Sequence, residues 1–153
     1  MSTGKDSSKD YRYVEVRDEL NELANLYIDL VKKFRRSIKR LSRESSRDDI
    51  DDLSGVVKII EKIRMLRSRL RFLLEYLEKS LSREKIGSEI REDLVIIVSF
   101  FELSALRDEK STLNRLIKLR PELEEELEKD LRDIEYIQGI ATRIYVSKDS
   151  RDI

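Results

Sequence analysis

The chain has 153 residues, of which 42% are charged, with 32 Lys and Arg set against 32 Asp and Glu. That length supports one domain with a substantial core, and zero net charge excludes a generic polyanion binder: nucleic-acid binding would need charge concentrated on one surface. Cysteine and histidine are both absent, which removes disulfides, thiolate chemistry, the commonest transition-metal ligand and the most adaptable acid–base group.

Asn occurs three times and Gln once, while Ile, Leu, Arg, Lys and Glu dominate. Few thermolabile residues with abundant charge pairs point to a hyperthermophilic, archaeal source. Met1–Asp10 is polar, and no apolar stretch is long enough to span a bilayer, so a cytoplasmic protein without membrane contact is expected.

Residues 1–10, small and polar, read as a disordered tail, and 147–153 as a flexible one. Between them lies a single domain, 11–146. The first helix is expected over about 12–43, where Leu20, Tyr27, Phe34 and Leu41 recur at steps of seven beside Leu23, Ala24, Leu30, Val31 and Ile38. The polar run RESSRDD at 43–49 reads as a turn, with Ser46 or Asp49 as the cap of the second helix. That helix, about 49–83, carries one apolar series at Val56, Ile63, Leu70 and Leu77 and another at Leu53, Ile60, Leu74 and Leu81, in which Arg67 is the odd member. Gly87 suits a left-handed helix stop and Ser88 the next cap.

The third helix is expected over about 88–119. Its middle, Leu94–Leu106, is apolar almost all the way around, which implies that protein surrounds it; a buried strand is the runner-up because Val95–Val98 are β-branched. Arg107–Ser111 is a polar patch suited to a kink or break. Pro121 opens the fourth helix, about 121–146, with Glu122, Glu124, Glu125 and Glu126 at its start. Its inner face is Leu123, Leu127, Leu131, Ile134, Ile137, Ala141 and Ile144. Four matched rods joined by short turns predict an all-α, elongated, antiparallel up-down-up-down four-helix bundle with coiled-coil-like heptad packing and the 94–106 segment at its centre. An antiparallel coiled coil that dimerises into a bundle fits the same pattern.

Three site readings arise. Counted over 32–71 there are 14 basic and 6 acidic residues, so this stretch is +8 and the remainder −8. Lys32, Arg36, Lys39 and Arg43 fall on one outer stripe, with Arg40 beside it, and the second helix adds Lys58, Lys62, Arg64 and Arg69. That surface suits the phosphates of DNA or RNA, or an oppositely charged protein; solvated charge near helix C-termini is the plainer reading. Met65, Phe72 and Tyr76 fall together away from the main apolar face, among cations, as in a partner interface. Arg67 is expected to pair with Glu102 in a buried or half-buried bridge that fixes register.

Enzymatic chemistry has little to draw on. Glu19, Glu22, Asp49 and Asp52 have spacing for a carboxylate–Mg²⁺ nucleotide hydrolase, but all serve equally as acids near helix starts. The expected function is a non-catalytic adaptor or assembly subunit, without cofactor, metal or small-molecule substrate, that engages a protein partner or a second copy through helix faces. A nucleic-acid-binding accessory protein is the alternative.

Overall fold

The computed structural model describes the backbone of residues 3–43 and 49–151 and the side chains of 11–43 and 53–146. It is all helix. Helix α1 spans Thr3–Arg43 and α2 spans Asp49–Arg83. A third rod consists of α3 (Ser88–Phe100), a π-helical turn (Phe101–Ala105) and α4 (Leu106–Leu119), and after a 3-10 turn (Pro121–Leu123) the chain ends in α5 (Glu124–Arg151). The buried-strand reading of 94–98 is therefore set aside.

Helix continues into both stretches expected as tails, from Thr3 and through Arg151. Neither contains proline, and extending a formed helix costs far less than nucleating one. The turn expected at 43–49, with its Ser46 and Asp49 caps, lies largely outside the described residues. Gly87 does not take the left-handed conformation. Its φ of −56° and ψ of 142° make it the extended residue before α3, and its carbonyl accepts from Arg91 N. Ser88 is accordingly the first residue of the helix rather than its cap. Arg120 is extended (φ −135°, ψ 77°) ahead of Pro121, as the proline ring requires.

Ion pairs and hydrogen bonds between rods fix their directions. Tyr13 meets Glu84 and Glu19 meets Arg69, so α1 and α2 run antiparallel. Arg17–Asp93 and Arg35–Asp108 make α1 parallel to the third rod. Arg64–Asp130 and Glu78–Arg143 make α2 parallel to α5, while Thr142–Glu102 and Lys110–Glu135 set the third rod against it. Consecutive rods therefore alternate in direction. The neighbours are less simple: α1 and α5 each pack against both α2 and the third rod. The second and third rods, joined by only residues 84–87, face each other diagonally across the core.

The core follows a regular spacing. On α2 the buried positions include 56, 60, 63, 67, 70, 74, 77 and 81, with Leu73 buried beside them, and on α5 they include 127, 130, 134, 137, 141 and 144. Fully buried Tyr27, Phe34 and Phe101 sit among aliphatic side chains, with the Tyr27 and Phe101 rings edge to face at 6.1 Å. The third rod starts on the same spacing at Ile90, Leu94, Val98 and Phe101, then resumes after the π turn at Leu106, Glu109, Leu113 and Leu116. In that turn Leu106 N bonds the carbonyl of Phe101, one residue wider than an α turn. The helix breaks phase here rather than at Arg107–Ser111, and the extra residue moves the buried stripe by one position.

The 94–106 segment is not surrounded by protein within one chain. Leu94, Val95, Val98, Phe101, Ala105 and Leu106 are buried, but Ile96 and Leu103 stand in water. Gly55, inside α2, offers a local test. A Cβ there would meet nothing within 4 Å, so Gly55→Ala is expected to stabilise the protein by about 0.5–1 kcal/mol in urea melts.

Candidate partner interface and a buried polar node

Arg67 occupies a core position of α2 and is 2% exposed. It does not meet Glu102, whose Oε1 instead accepts from the Thr142 hydroxyl at 2.6 Å on the bundle surface. The Arg67 side chain crosses the core: its Nη2 donates to Glu109 Oε2 at 2.5 Å on the diagonal rod, and its Nη1 to Asp130 Oδ1 at 2.8 Å on α5. The Tyr27 hydroxyl of α1 donates to the other oxygen of Glu109. All four rods thus place one polar side chain in a single buried node.

Arg64 supports the node from its rim, gripping both oxygens of Asp130 from Nε at 2.9 Å and Nη2 at 2.8 Å. Asp133 bridges Arg67 and Arg71 at 3.4 and 3.2 Å, and the Arg71 guanidinium lies 4.4 Å over the Tyr136 ring. Burial pushes the Glu109 carboxyl above the usual carboxylate range, against the pull of Arg67. Burial also works against ionised Asp130, but hydrogen bonds from Arg64 and Arg67 outweigh it and hold that carboxyl below its usual range. Burial, then the Glu109 charge, raises the Tyr27 hydroxyl well above its ordinary value. The Arg67 Nε has no partner, so the node is closed with one donor left over. A polar groove of about 820 Å³ lies outside it between α2 and α5, but Arg64, Arg67 and Arg71 on its wall already serve Asp130, Asp133 and Glu75.

The basic surface divides in two. Arg64 and Arg69, both expected to face nucleic acid, are neutralised within the chain, Arg64 by Asp130 and Arg69 by Glu19 through Nε at 2.6 Å. Lys32, Lys33, Arg36, Lys39, Arg40 and Arg43 on α1 and Lys58 and Lys62 on α2 are exposed. None of these eight forms an ion pair with a described residue; Arg36 Nε reaches only the carbonyl of Lys32, at 3.4 Å. The antiparallel register set by Tyr13–Glu84 and Glu19–Arg69 brings Lys58 and Lys62 level with the first of them.

The apolar trio divides as well. Met65 is 75% exposed and Phe72 61%, with the Arg69 guanidinium 5.2 Å from the Phe72 ring centroid. Tyr76 is half-buried and packs on the core, and Arg12 meets its hydroxyl. Met65 and Phe72 therefore form the free part, and helical spacing turns them toward the outer side of the α1–α2 hairpin. Of the acids considered for Mg²⁺, Glu19 is held by Arg69, and the side chains of Asp49 and Asp52 lie outside those described. Among the described residues no three carboxylates converge as a metal-holding set, and no helix is long and apolar enough to cross a membrane. Comparison with protein-family models, curated proteins and solved structures gives no match for this chain.

Proposed function

We infer that this protein is a non-catalytic assembly subunit whose α1–α2 hairpin docks an acidic protein partner. One observation carries the reading: eight exposed cations without acidic partners among the described residues lie on the same two helices whose hairpin carries exposed Met65 and Phe72. Water-exposed Met and Phe beside Arg and Lys have the composition of an interface centre with a polar rim. The bundle behind this face is already packed and pinned, so docking requires little reordering. The same cations favour a second reading, in which Lys32, Arg36, Lys39 and Arg43 follow a nucleic-acid backbone and affinity falls steeply with salt.

Capture of partners from the source organism by immobilised protein, with and without nuclease, separates the two. The docking reading expects nuclease-resistant capture that Arg36→Glu and Phe72→Ala each weaken. Phe72 lies outside the core, so Phe72→Ala should shift stability by less than about 1 kcal/mol. Nuclease-sensitive capture indifferent to Phe72→Ala selects nucleic acid, and capture unchanged in both variants overturns both readings.

A further inference from the structure

The third rod has one face without a partner inside the described chain. Toward α1, Asp93 holds Arg17 and Asp108 holds Arg35; toward α5, Glu102 accepts from Thr142 and Lys110 holds Glu135. The outward stripe between these flanks carries Ile96, 66% exposed, and Leu103, 62% exposed, with half-buried Phe100 between them. Helical spacing extends that stripe back to Glu89 and Glu92 and forward to Arg107, Arg115 and Lys118. All five are exposed, and none forms an ion pair with a described residue.

Along the rod the stripe therefore reads acid, then apolar, then base. A second copy laid antiparallel sets Glu92 opposite Arg107 and Ile96 opposite Leu103 at once. Both pairs straddle the same midpoint, between Ser99 and Phe100. A parallel copy would instead set acid on acid and base on base. We propose that the chain forms an isologous homodimer through this face, with the two third rods antiparallel and Phe100 beside the two-fold axis. The dimer covers the apolar side chains that one chain leaves in water. Because α2 lies diagonally across the bundle, its outer face stays open in the dimer. This proposal and the hairpin reading stand or fall separately.

Molar mass by light scattering after gel filtration tests it, with helicity by circular dichroism as the fold control. The wild-type chain is expected at twice the protomer mass. Glu92→Arg and Arg107→Glu, each at an exposed site, are expected to shift it to the monomer, and the double exchange Glu92→Arg with Arg107→Glu to restore the dimer. The chain has no cysteine, so Ser99→Cys supplies an independent readout: oxidation should link two copies, while Ser68→Cys on α2 should not. A monomeric wild type overturns the proposal, as does a dimer that survives both single exchanges or cross-links through Ser68→Cys but not Ser99→Cys.

Discussion

Arg67→Leu is expected to cost about 3–5 kcal/mol in urea or thermal melts, because it leaves buried Glu109 without a cation and takes one of two guanidinium partners from Asp130. Against a total margin of about 5–15 kcal/mol for a domain, that is a severe loss. The cause is uncompensated charge rather than lost packing, so a second substitution should repair it. Asp130 keeps the two-pronged grip of Arg64, whereas Glu109 keeps only the Tyr27 hydroxyl. Arg67→Leu with Glu109→Leu is therefore expected to recover most of the loss, and adding Tyr27→Phe removes the hydroxyl left without an acceptor. Tyr27→Phe alone should cost about 1.5–3 kcal/mol, the range for a hydrogen bond to a charged group. Additive losses from Arg67→Leu and Glu109→Leu would show that the node is not a unit.

The same variant carries a signed pH dependence. Burial already raises Glu109, and Arg67 is the cation that opposes the rise. Without it the folded-state pKa moves further above the unfolded value. A carboxyl shifted in that direction destabilises the fold at pH values above its unfolded pKa, and the loss is relieved as pH falls through the folded pKa. Asp130 has the opposite sign: its lowered pKa gives the native protein stability above the unfolded value, lost as pH falls through the folded one. The stability gap between Arg67→Leu and wild type should therefore narrow from neutral toward mildly acid pH. A gap that widens would place the unpaired charge somewhere other than Glu109.

The four helical rods were legible because the apolar residues of α1, α2 and α5 recur at helical spacing and because Pro121 and Gly87 punctuate the chain. Arg67 was legible as a charge in an apolar series; its partner was not. Setting α2 and the third helix side by side brings Glu102 within reach, but the two rods are diagonal and Arg67 reaches through the core instead of along a seam. The π turn then turns inward Glu109 rather than Asp108, the residue that an unbroken α-helical phase selects. Asp130 falls on the 127–130–134–137 spacing, yet nothing local separates an acid bonded to a buried guanidinium from one in water. The surface failed for the same reason. Arg64 and Arg69 look like free cations until folding brings Asp130 and Glu19 to them from 66 and 50 residues away.

Deleting Ser104 is expected to be tolerated, whereas deleting Ser68 is expected to abolish cooperative folding. A π turn holds one more residue than the α turn it replaces. Removing one residue from Phe101–Ala105 should let the rod close into an ordinary helix, with Leu94 and Val98 above and Glu109, Leu113 and Leu116 below still facing the core. The buried stripe would then run in one unbroken phase, and Arg67 would keep its carboxylate. Ser68 is equally unremarkable by its side chain, being exposed on α2, but α2 is regular throughout. A deletion there rotates everything beyond it by about 100°, which turns Leu70, Leu74 and Leu77 out of the core and brings charged neighbours in. Circular dichroism with thermal melts distinguishes the outcomes: a sharp transition at near-native helicity for the first variant, and a broad, non-cooperative loss for the second. If both deletions melt alike, the wide turn is not what sets the register of Glu109.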